Sequence, residues 1–153
     1  MPRVDEEEFR RFVQEAEPRL HRALVARFGW EVGREAVAEA LGYAWEHWRR
    51  VKRFENPVGY LFRVGSSRVR GHKERPIFAR ASDGDEPRYE PTLSKYLAQL
   101  PDRQRVAVVL VHGYGWTTQE VADLLNLRAT TVQTHVSRAL SKLREQMEVQ
   151  CDG

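Results

Sequence analysis

The basic side chains of this sequence are concentrated in residues 49–80, where they could bind a polyanion. This stretch holds ten Lys and Arg but only two Glu, although the whole chain has a formal net charge of only +3. Guanidinium groups pair with phosphate oxygens, and hydroxyl groups between them add hydrogen bonds. Both kinds of group project together from one predicted helix face, at Arg63, Ser66, Ser67 and Arg70. The stretch therefore predicts contact with a nucleic-acid backbone.

A second polar group lies near the C-terminus and could contact base edges. Thr117 and Glu120 form a T-x-x-E capping box at the start of a predicted helix over residues 118–125, and Asn126 is a plausible left-handed terminator. A second helix is predicted from Ala129 to Met147, which makes a helix-turn-helix whose second helix enters the major groove. Its predicted exposed face carries Thr130, Gln133, Thr134, Ser137, Arg138 and Ser141. Its predicted buried stripe is Val132, Val136, Ala139 or Leu140, Leu143 and Met147.

On the residues alone, an ordinary solvated face of a packing helix remains the alternative to base recognition. His135 lies nearer the apolar stripe, so we expect a structural role for it. Short polar side chains with one Arg can approach base edges closely, which favours the recognition interpretation.

Enzyme chemistry finds little support in the sequence. The five His have no metal-binding spacing such as H-E-x-x-H, and neither a Gly-rich phosphate loop nor a nucleophile motif is present. Cys151 is the only cysteine, so an intrachain disulfide and a thiolate cluster are both excluded. We therefore expect no enzyme, no cofactor and no metal site.

Helical periodicity runs through the whole sequence, which predicts an all-α fold. A first helical hairpin is expected over residues 5–28, with Pro18 starting its second piece. The next helix is expected over residues 32–50. Asn56 and Pro57 then give a strong start signal for a helix that extends to about Glu74. The predicted apolar stripe of the 32–50 helix is Val37, Leu41, Ala44, Trp45 and Trp48, and core packing is the favoured role of both tryptophans.

Residues 76–92 divide the chain into two predicted domains. This segment contains three Pro, one Gly and four acidic residues without a helical stripe, which is typical of a flexible linker. The domains are expected over residues 1–75 and 93–153. Fully extended, the linker spans at most about 58 Å, enough to let two modules reach separated sites on one duplex. Because each domain has its own apolar stripes, we expect the two domains to pack weakly on each other.

Two observations bear on the compartment. No apolar run approaches the ~18 residues of a membrane span, and the first eight residues are acidic where a secretory signal is basic and then apolar. We therefore expect a cytoplasmic protein without a membrane partner.

Two stretches resemble bacterial RNA polymerase sigma factors. LPDRQRVAVVLVHGYGWTTQEVADLLNLRATTVQTHVSRALSKLRE is similar to the minus-35-reading region four, although part of it is also similar to LuxR-type regulators. REAVAEALGYAWEHWRRVKRFENPVGYLFRVGSSRVRGHKER resembles region two, where LuxR-type proteins carry a different domain. The absence of a middle domain places the resemblance in the extracytoplasmic-function group. It implies two helical domains that bind polymerase core enzyme and both duplex and single-stranded promoter DNA, with an anti-sigma factor as a further candidate partner.

The resemblance also implies three sets of functional residues, which define three surfaces. The polymerase-binding surface is Glu35, Glu39, Gly42, Glu46 and Arg49. The minus-10 surface is Phe54, Asn56, Tyr60, Arg63, Ser67 and Arg70. The minus-35 surface is Arg128, Thr130, Thr131, Gln133, Thr134, Ser137 and Arg138.

Some alternatives stay open at this point. Phe54 and Tyr60 could stack on melted bases or close the loop onto the core. For the whole chain, the main alternative is a stand-alone LuxR-like helix-turn-helix regulator, which would bind its operator as free protein. A non-DNA adaptor that binds polymerase or an anti-sigma factor would leave Arg63, Arg70 and Arg138 dispensable.

Overall fold

The computed structural model describes residues 3–69 and 91–152, and these two ranges are helical with no strand. The first range holds α1 (Arg3–Phe28), α2 (Trp30–Glu46), α3 (Trp48–Val51) and α4 (Pro57–Arg68). The second holds α5 (Pro91–Gln99), α6 (Asp102–Val108), a π-helical turn (Val109–Gly113), α7 (Thr118–Leu125) and α8 (Ala129–Asp152). The predicted all-α fold is confirmed. None of the described helices is long and apolar enough to cross a membrane.

α1 is one continuous helix, so the predicted hairpin with a second piece starting at Pro18 is wrong. A proline inside a helix removes one hydrogen bond and costs about 3 kcal/mol. Pro18 is exposed, so water can reach the carbonyl that has lost its donor. On the opposite side, Ala16, Leu20 and Leu24 form one buried stripe across the proline. The burial of this stripe favours an uninterrupted helix.

The predicted helix over residues 32–50 is divided in two. His47 leaves the helical conformation at φ −118° and ψ 29°, which ends α2 and precedes the single turn of α3. The break accompanies the burial of Trp48, whose ring lies 5.3 Å from Phe9 and 5.1 Å from Phe12. Trp45 is half-buried, with its ring 5.0 Å from that of Phe9. Both tryptophans therefore pack against α1.

α4 begins as the sequence predicts but has a wider buried face. The Asn56 side chain caps it by accepting a hydrogen bond from the Gly59 amide at 3.1 Å, and Pro57 occupies the first turn. Ser66 is buried rather than exposed beside Arg63, because α4 packs against both α1 and α2 and so covers more than one stripe. The helix ends at Arg68, and the predicted continuation to Glu74 lies outside the described residues from position 70 onward.

The second domain packs its helices around α8. The predicted stripe is buried at Val132, Val136, Ala139 and Leu143. Met147 is 41% exposed, so its predicted burial is wrong, because α8 continues past the helices that cover Leu143. α5 begins at Pro91, two residues before the predicted domain start, and residues 76–90 of the predicted linker lie outside the described ranges.

The two domains pack on each other, contrary to the expectation of weak packing. Their buried apolar residues form one continuous cluster, in which α1 contacts α6 and α4 contacts α7. The sequence shows a separate apolar stripe on each helix, but it does not show that some residues of these stripes pack across the interface between the domains.

Arg105 of α6 is the central polar residue of this interface, and only 2% of it is exposed. Its Nε donates to the Ala26 carbonyl at 2.9 Å, and its Nη2 donates to the Arg27 carbonyl, both in the last turn of α1. Its Nη1 donates to the Leu100 carbonyl at 2.7 Å, and Asp102 accepts a further bond at 2.6 Å. A cation at a helix C-terminus satisfies carbonyls that have no partner inside the helix.

Burial lowers the pKa of the Arg105 guanidinium, and Asp102 opposes this shift by favouring the charged form. The guanidinium still remains charged, because arginine retains its proton in proteins. A buried charge is tolerated only where hydrogen bonds replace its water shell, which the four acceptors provide.

Side-chain contacts that are more exposed than those of Arg105 also join the two domains. Arg27 Nε lies 3.2 Å from Asp102 Oδ2, and Arg19 Nη2 lies 3.5 Å from Glu120 Oε2. The Arg19 guanidinium also lies 5.0 Å from the Trp116 ring centroid. Exposed ion pairs contribute about 0–1 kcal/mol each, so these contacts fix the orientation of the domains more than they stabilise it.

Two helix glycines give a paired test of the first domain. A Cβ at Gly65 would lie 2.8 Å from the Ala36 carbonyl oxygen, whereas a Cβ at Gly42 would meet nothing within 4 Å. We expect Gly65→Ala to reduce the free energy of unfolding by roughly 1–3 kcal/mol, because α4 must move away from α2. Gly42→Ala should raise it by about 0.5–1 kcal/mol through helix propensity. Urea denaturation measures both, and equal effects would contradict the close packing of α4 on α2.

The interface predicts a specific effect at Arg105. Arg105→Ala should lower the free energy of unfolding by roughly 2–4 kcal/mol, because it leaves buried carbonyls unsatisfied. It should also raise the radius of gyration measured by small-angle X-ray scattering as the domains separate. Arg103→Ala is the matched control on the same helix, since Arg103 is exposed. An Arg105→Ala protein with the stability and radius of the control would refute the role of this residue in docking.

Candidate nucleic-acid interface

The helix-turn-helix has the local structure that the sequence predicts. The Thr117 hydroxyl accepts from the Glu120 amide at 3.1 Å, and the Glu120 carboxylate accepts from the Thr117 amide at 3.1 Å. Asn126 is left-handed at φ 56° and ψ 49°, and the Leu127 amide closes the turn on the Ala122 carbonyl at 2.9 Å. α8 then packs on α6 and α7. These contacts fix the direction in which the outer face of α8 points.

The predicted minus-35 surface lies on that outer face. The structure exposes six of its residues and half-buries Thr131. The Thr134 hydroxyl donates to the Thr130 carbonyl at 3.1 Å, which leaves its oxygen able to accept from a ligand. The exposed residues are Arg128, Thr130, Gln133, Thr134, Ser137 and Arg138. This surface therefore offers hydrogen-bond donors and acceptors together with two positively charged side chains, Arg128 and Arg138.

His135 is half-buried and is not one of the residues of the predicted minus-35 surface. Its two ring nitrogens have no hydrogen-bond partner in the described part of the chain. Burial lowers its pKa, and the positive charges of Arg103 and Arg138 lower it further. The imidazole is thus favoured in its neutral form, as suits a packing residue.

Asn56 of the predicted minus-10 surface lies at the contact between the two domains. Beyond its capping bond to Gly59, its Nδ2 donates to the Asp123 carbonyl of α7 at 2.6 Å. The sequence did not predict this contact, because no signal within residues 50–60 indicates a partner 67 positions away.

Phe54 and Tyr60 form one half-buried aromatic group. Their ring centroids are 4.6 Å apart, and the Tyr60 hydroxyl lies 3.0 Å from that of Tyr43. This hydrogen bond is the main cause of a raised pKa at Tyr43, and the Arg50 side chain donates to the same hydroxyl. The rings close the loop onto the core and still keep part of their surface in solvent.

The remaining predicted minus-10 residues lie on α4 or beyond it. Arg63 and Ser67 are exposed on α4, one helical turn apart. Arg70 lies outside the described residues. The sequence therefore placed Arg63 and Ser67 correctly on the solvent side.

The predicted polymerase-binding surface is exposed throughout. Glu35, Glu39, Gly42 and Glu46 follow one face of α2, which Arg49 of α3 continues. Glu39 lies 4.0 Å from Arg68 Nη1, and Arg49 lies 3.8 Å from Asp5 Oδ2. The open space above Gly42 leaves room for a close approach by another chain.

Metal binding has no candidate group here. Among residues 3–69 and 91–152, no cluster of three or more His, Cys, Asp or Glu side chains could hold a metal ion.

Comparison with known proteins supports the interpretation of the second domain. Residues 92–143 match the family model of sigma-70 region 4, and this segment contains α7, the turn after it and the larger part of α8. No curated protein matches the chain.

Two solved structures share the fold over almost the whole chain. The sigma factor RpoE from Bartonella quintana, solved in complex with the anti-sigma factor NepR, has a TM-score of 0.68 and 19% identity. That match covers 94% of this chain and 98% of the other. CnrH, solved in complex with the cytosolic domain of CnrY, has a TM-score of 0.63 and 20% identity, and the match covers 94% of this chain and 90% of the other.

The region 4 match covers the helix-turn-helix segment, and the shared fold extends across the first domain as well. Residues 92–143 are thus similar to sigma-70 region 4, and the chain shares its fold with the two solved structures.

Proposed function

We propose that this protein is a non-catalytic initiation factor that binds RNA polymerase core enzyme, recognises minus-35 and minus-10 promoter elements and promotes DNA opening. The observation that carries the proposal is the exposed polar face of α8 within the segment that matches sigma-70 region 4. The test is reconstitution with bacterial core polymerase and run-off transcription. A stand-alone regulator would instead bind its operator as free protein.

The proposed duplex contact is made by α8 in the major groove. Gln133 can pair with an adenine edge, and Arg138 can pair with a guanine edge or with a phosphate. Arg128 precedes the helix, where a guanidinium can contact the backbone and set the register. Short Thr and Ser side chains between them allow the helix to approach the bases closely.

The proposed single-strand contact is made by α4 and the loop before it. Phe54 and Tyr60 offer partly exposed rings, and a base stacked on an aromatic ring contributes about 1–3 kcal/mol. Arg63 and Ser67 lie on the neighbouring exposed face, where they can hold the phosphates of the melted strand.

The proposed polymerase contact is made by the acidic face of α2. Three glutamates and the bare backbone at Gly42 present negative charge and a shallow surface to a basic partner helix. Complementary charge of this kind chiefly increases the association rate and the specificity.

Opening of the interdomain contact forms part of this proposal. In the docked arrangement Asn56 donates to Asp123, so its amide is occupied by the second domain. A melted strand can use this amide only after α7 moves away. The chain between the domains is long enough for such a separation, about 58 Å when fully extended.

An anti-sigma factor is a proposed partner. Both solved structures of the same fold contain a second protein, which in the RpoE complex is an anti-sigma factor. By analogy, a partner that binds this chain and prevents its association with polymerase would regulate it in the cytoplasm.

Glu39→Lys tests the polymerase-binding surface. The carboxylate is exposed and its ion pair with Arg68 is long, so the fold should be unaffected. We expect weaker binding to core enzyme in a fluorescence titration, since the substitution places a cation against a basic partner. Glu15→Lys is the control with the same charge change at an exposed position of α1. Equal core affinity of the two variants would rule out this surface.

Arg138→Ala and Arg63→Ala test the division of labour between the DNA surfaces. Arg138→Ala should weaken closed-complex formation by about 1–3 kcal/mol if the residue contacts a base, and relax preference at one minus-35 position. Arg63→Ala should preserve that preference but slow strand opening. Permanganate footprinting on duplex and pre-melted templates separates the two steps.

Arg11→Ala is the control for these variants, because Arg11 is an exposed arginine of α1 outside both proposed DNA surfaces. If Arg63→Ala reduces open-complex formation equally on duplex and pre-melted templates, then α4 acts in DNA binding and not in strand opening.

A further inference from the structure

A cavity of about 270 Å³ lies between the two domains, and the proposed function does not use it. Its walls come from α1 and α4 of the first domain and from α6 and α7 of the second. The apolar part of the lining is Phe62, Val106, Leu124 and Leu125. Pockets for drug-sized ligands begin at about 300 Å³, so this cavity fits a molecule of one or two rings.

The charged part of the lining has an excess of cations. Arg27, Arg63 and Arg103 line the cavity, and Asp102 is the one acidic residue among the described residues that line it. This one carboxylate already accepts from Arg27 at 3.2 Å and from the buried Arg105 at 2.6 Å. Its negative charge is therefore shared by two guanidinium groups and is not available to neutralise the others.

Arg63 and Arg103 remain without a carboxylate partner among the described residues. Both are exposed enough to reorient toward the cavity mouth. Guanidinium groups bind carboxylates and other oxyanions through two parallel hydrogen bonds, which is the strongest pairing available to them. Two such groups beside an apolar wall provide one binding region for an anionic head and another for an apolar body.

We propose that this cavity binds a small organic anion, with its acidic group between Arg63 and Arg103 and its apolar body against Phe62, Leu124 and Leu125. The occupant carries at least one carboxylate or comparable oxyanion on a flat apolar frame. An uncharged molecule of the same shape fills the apolar region alone and binds more weakly.

Binding in this cavity favours the docked arrangement of the domains. Three of the eight lining residues belong to the first domain and five to the second, so the site is complete only while α6 and α7 lie against α1 and α4. A ligand that binds one of two states shifts the population toward that state. Under the proposed function, the ligand also competes with DNA for Arg63.

The test uses naphthalene-2-carboxylate as the probe and naphthalene-2-methanol as its uncharged counterpart. Isothermal titration calorimetry with the full chain should show saturable binding of the carboxylate, at least about 10-fold tighter than the alcohol. Arg63→Gln and Arg103→Gln should each reduce the carboxylate affinity by about 10-fold. Arg144→Gln, an exposed arginine that does not line the cavity, should leave it unchanged.

Both cavity variants alter exposed residues, and circular dichroism confirms that they are folded before titration. No saturable binding of the carboxylate overturns the proposal, and so does equal affinity for the alcohol. An equal loss of affinity in Arg144→Gln likewise overturns it, because binding would then follow net charge and not the cavity. Core polymerase and DNA are absent from this experiment, so its failure leaves the proposed transcription role untouched.

Discussion

The arrangement of the two domains depends on one constraint, the need of the buried Arg105 guanidinium for acceptors. Its side chain comes from the second domain, but two of its four acceptors are carbonyls at the end of α1 in the first. A charge cannot remain in a protein interior without such partners. Arg105 therefore holds α6 at the C-terminus of α1, where the unsatisfied carbonyls of a helix end supply the negative potential. The neighbouring contacts of Arg19, Arg27 and Asn56 follow from this position.

This docking affects the two proposed DNA surfaces differently. The outer face of α8 stays exposed, because α8 packs on α6 and α7 through its opposite side. The minus-10 surface is partly occupied, since Asn56 bonds to α7 and Arg63 lines the interdomain cavity. Under the proposed function, an equilibrium between docked and separated domains would control access to the single-strand surface and leave the duplex surface accessible. The cavity lined by Arg63 and Arg103 is where the proposed small anion would bias that equilibrium.

Local signals in the sequence determined much of the fold and of the duplex surface. The capping box at Thr117, the left-handed Asn126 and the Asn56 cap depend on residues within four positions of each other, so they are readable without tertiary information. The periodic burial of Val132, Val136 and Leu143 likewise fixes the outward face of α8. For this reason six of the seven residues of the minus-35 surface were predicted correctly as exposed, whereas the contact of this surface with DNA remains a prediction.

Only the tertiary structure decided how the elements combine. Pro18 lies inside α1 because packing on its buried side outweighs a local break signal, and Ser66 is buried because α4 packs against more than one helix. The contacts of Arg105 with Ala26 and of Asn56 with Asp123 join residues 79 and 67 positions apart. No periodicity encodes such pairs, since they arise from the shapes of two domains that are already folded. The sequence by itself thus determined the helices, their caps and their exposed faces, and the tertiary structure alone decided the docking of the domains and the cavity between them.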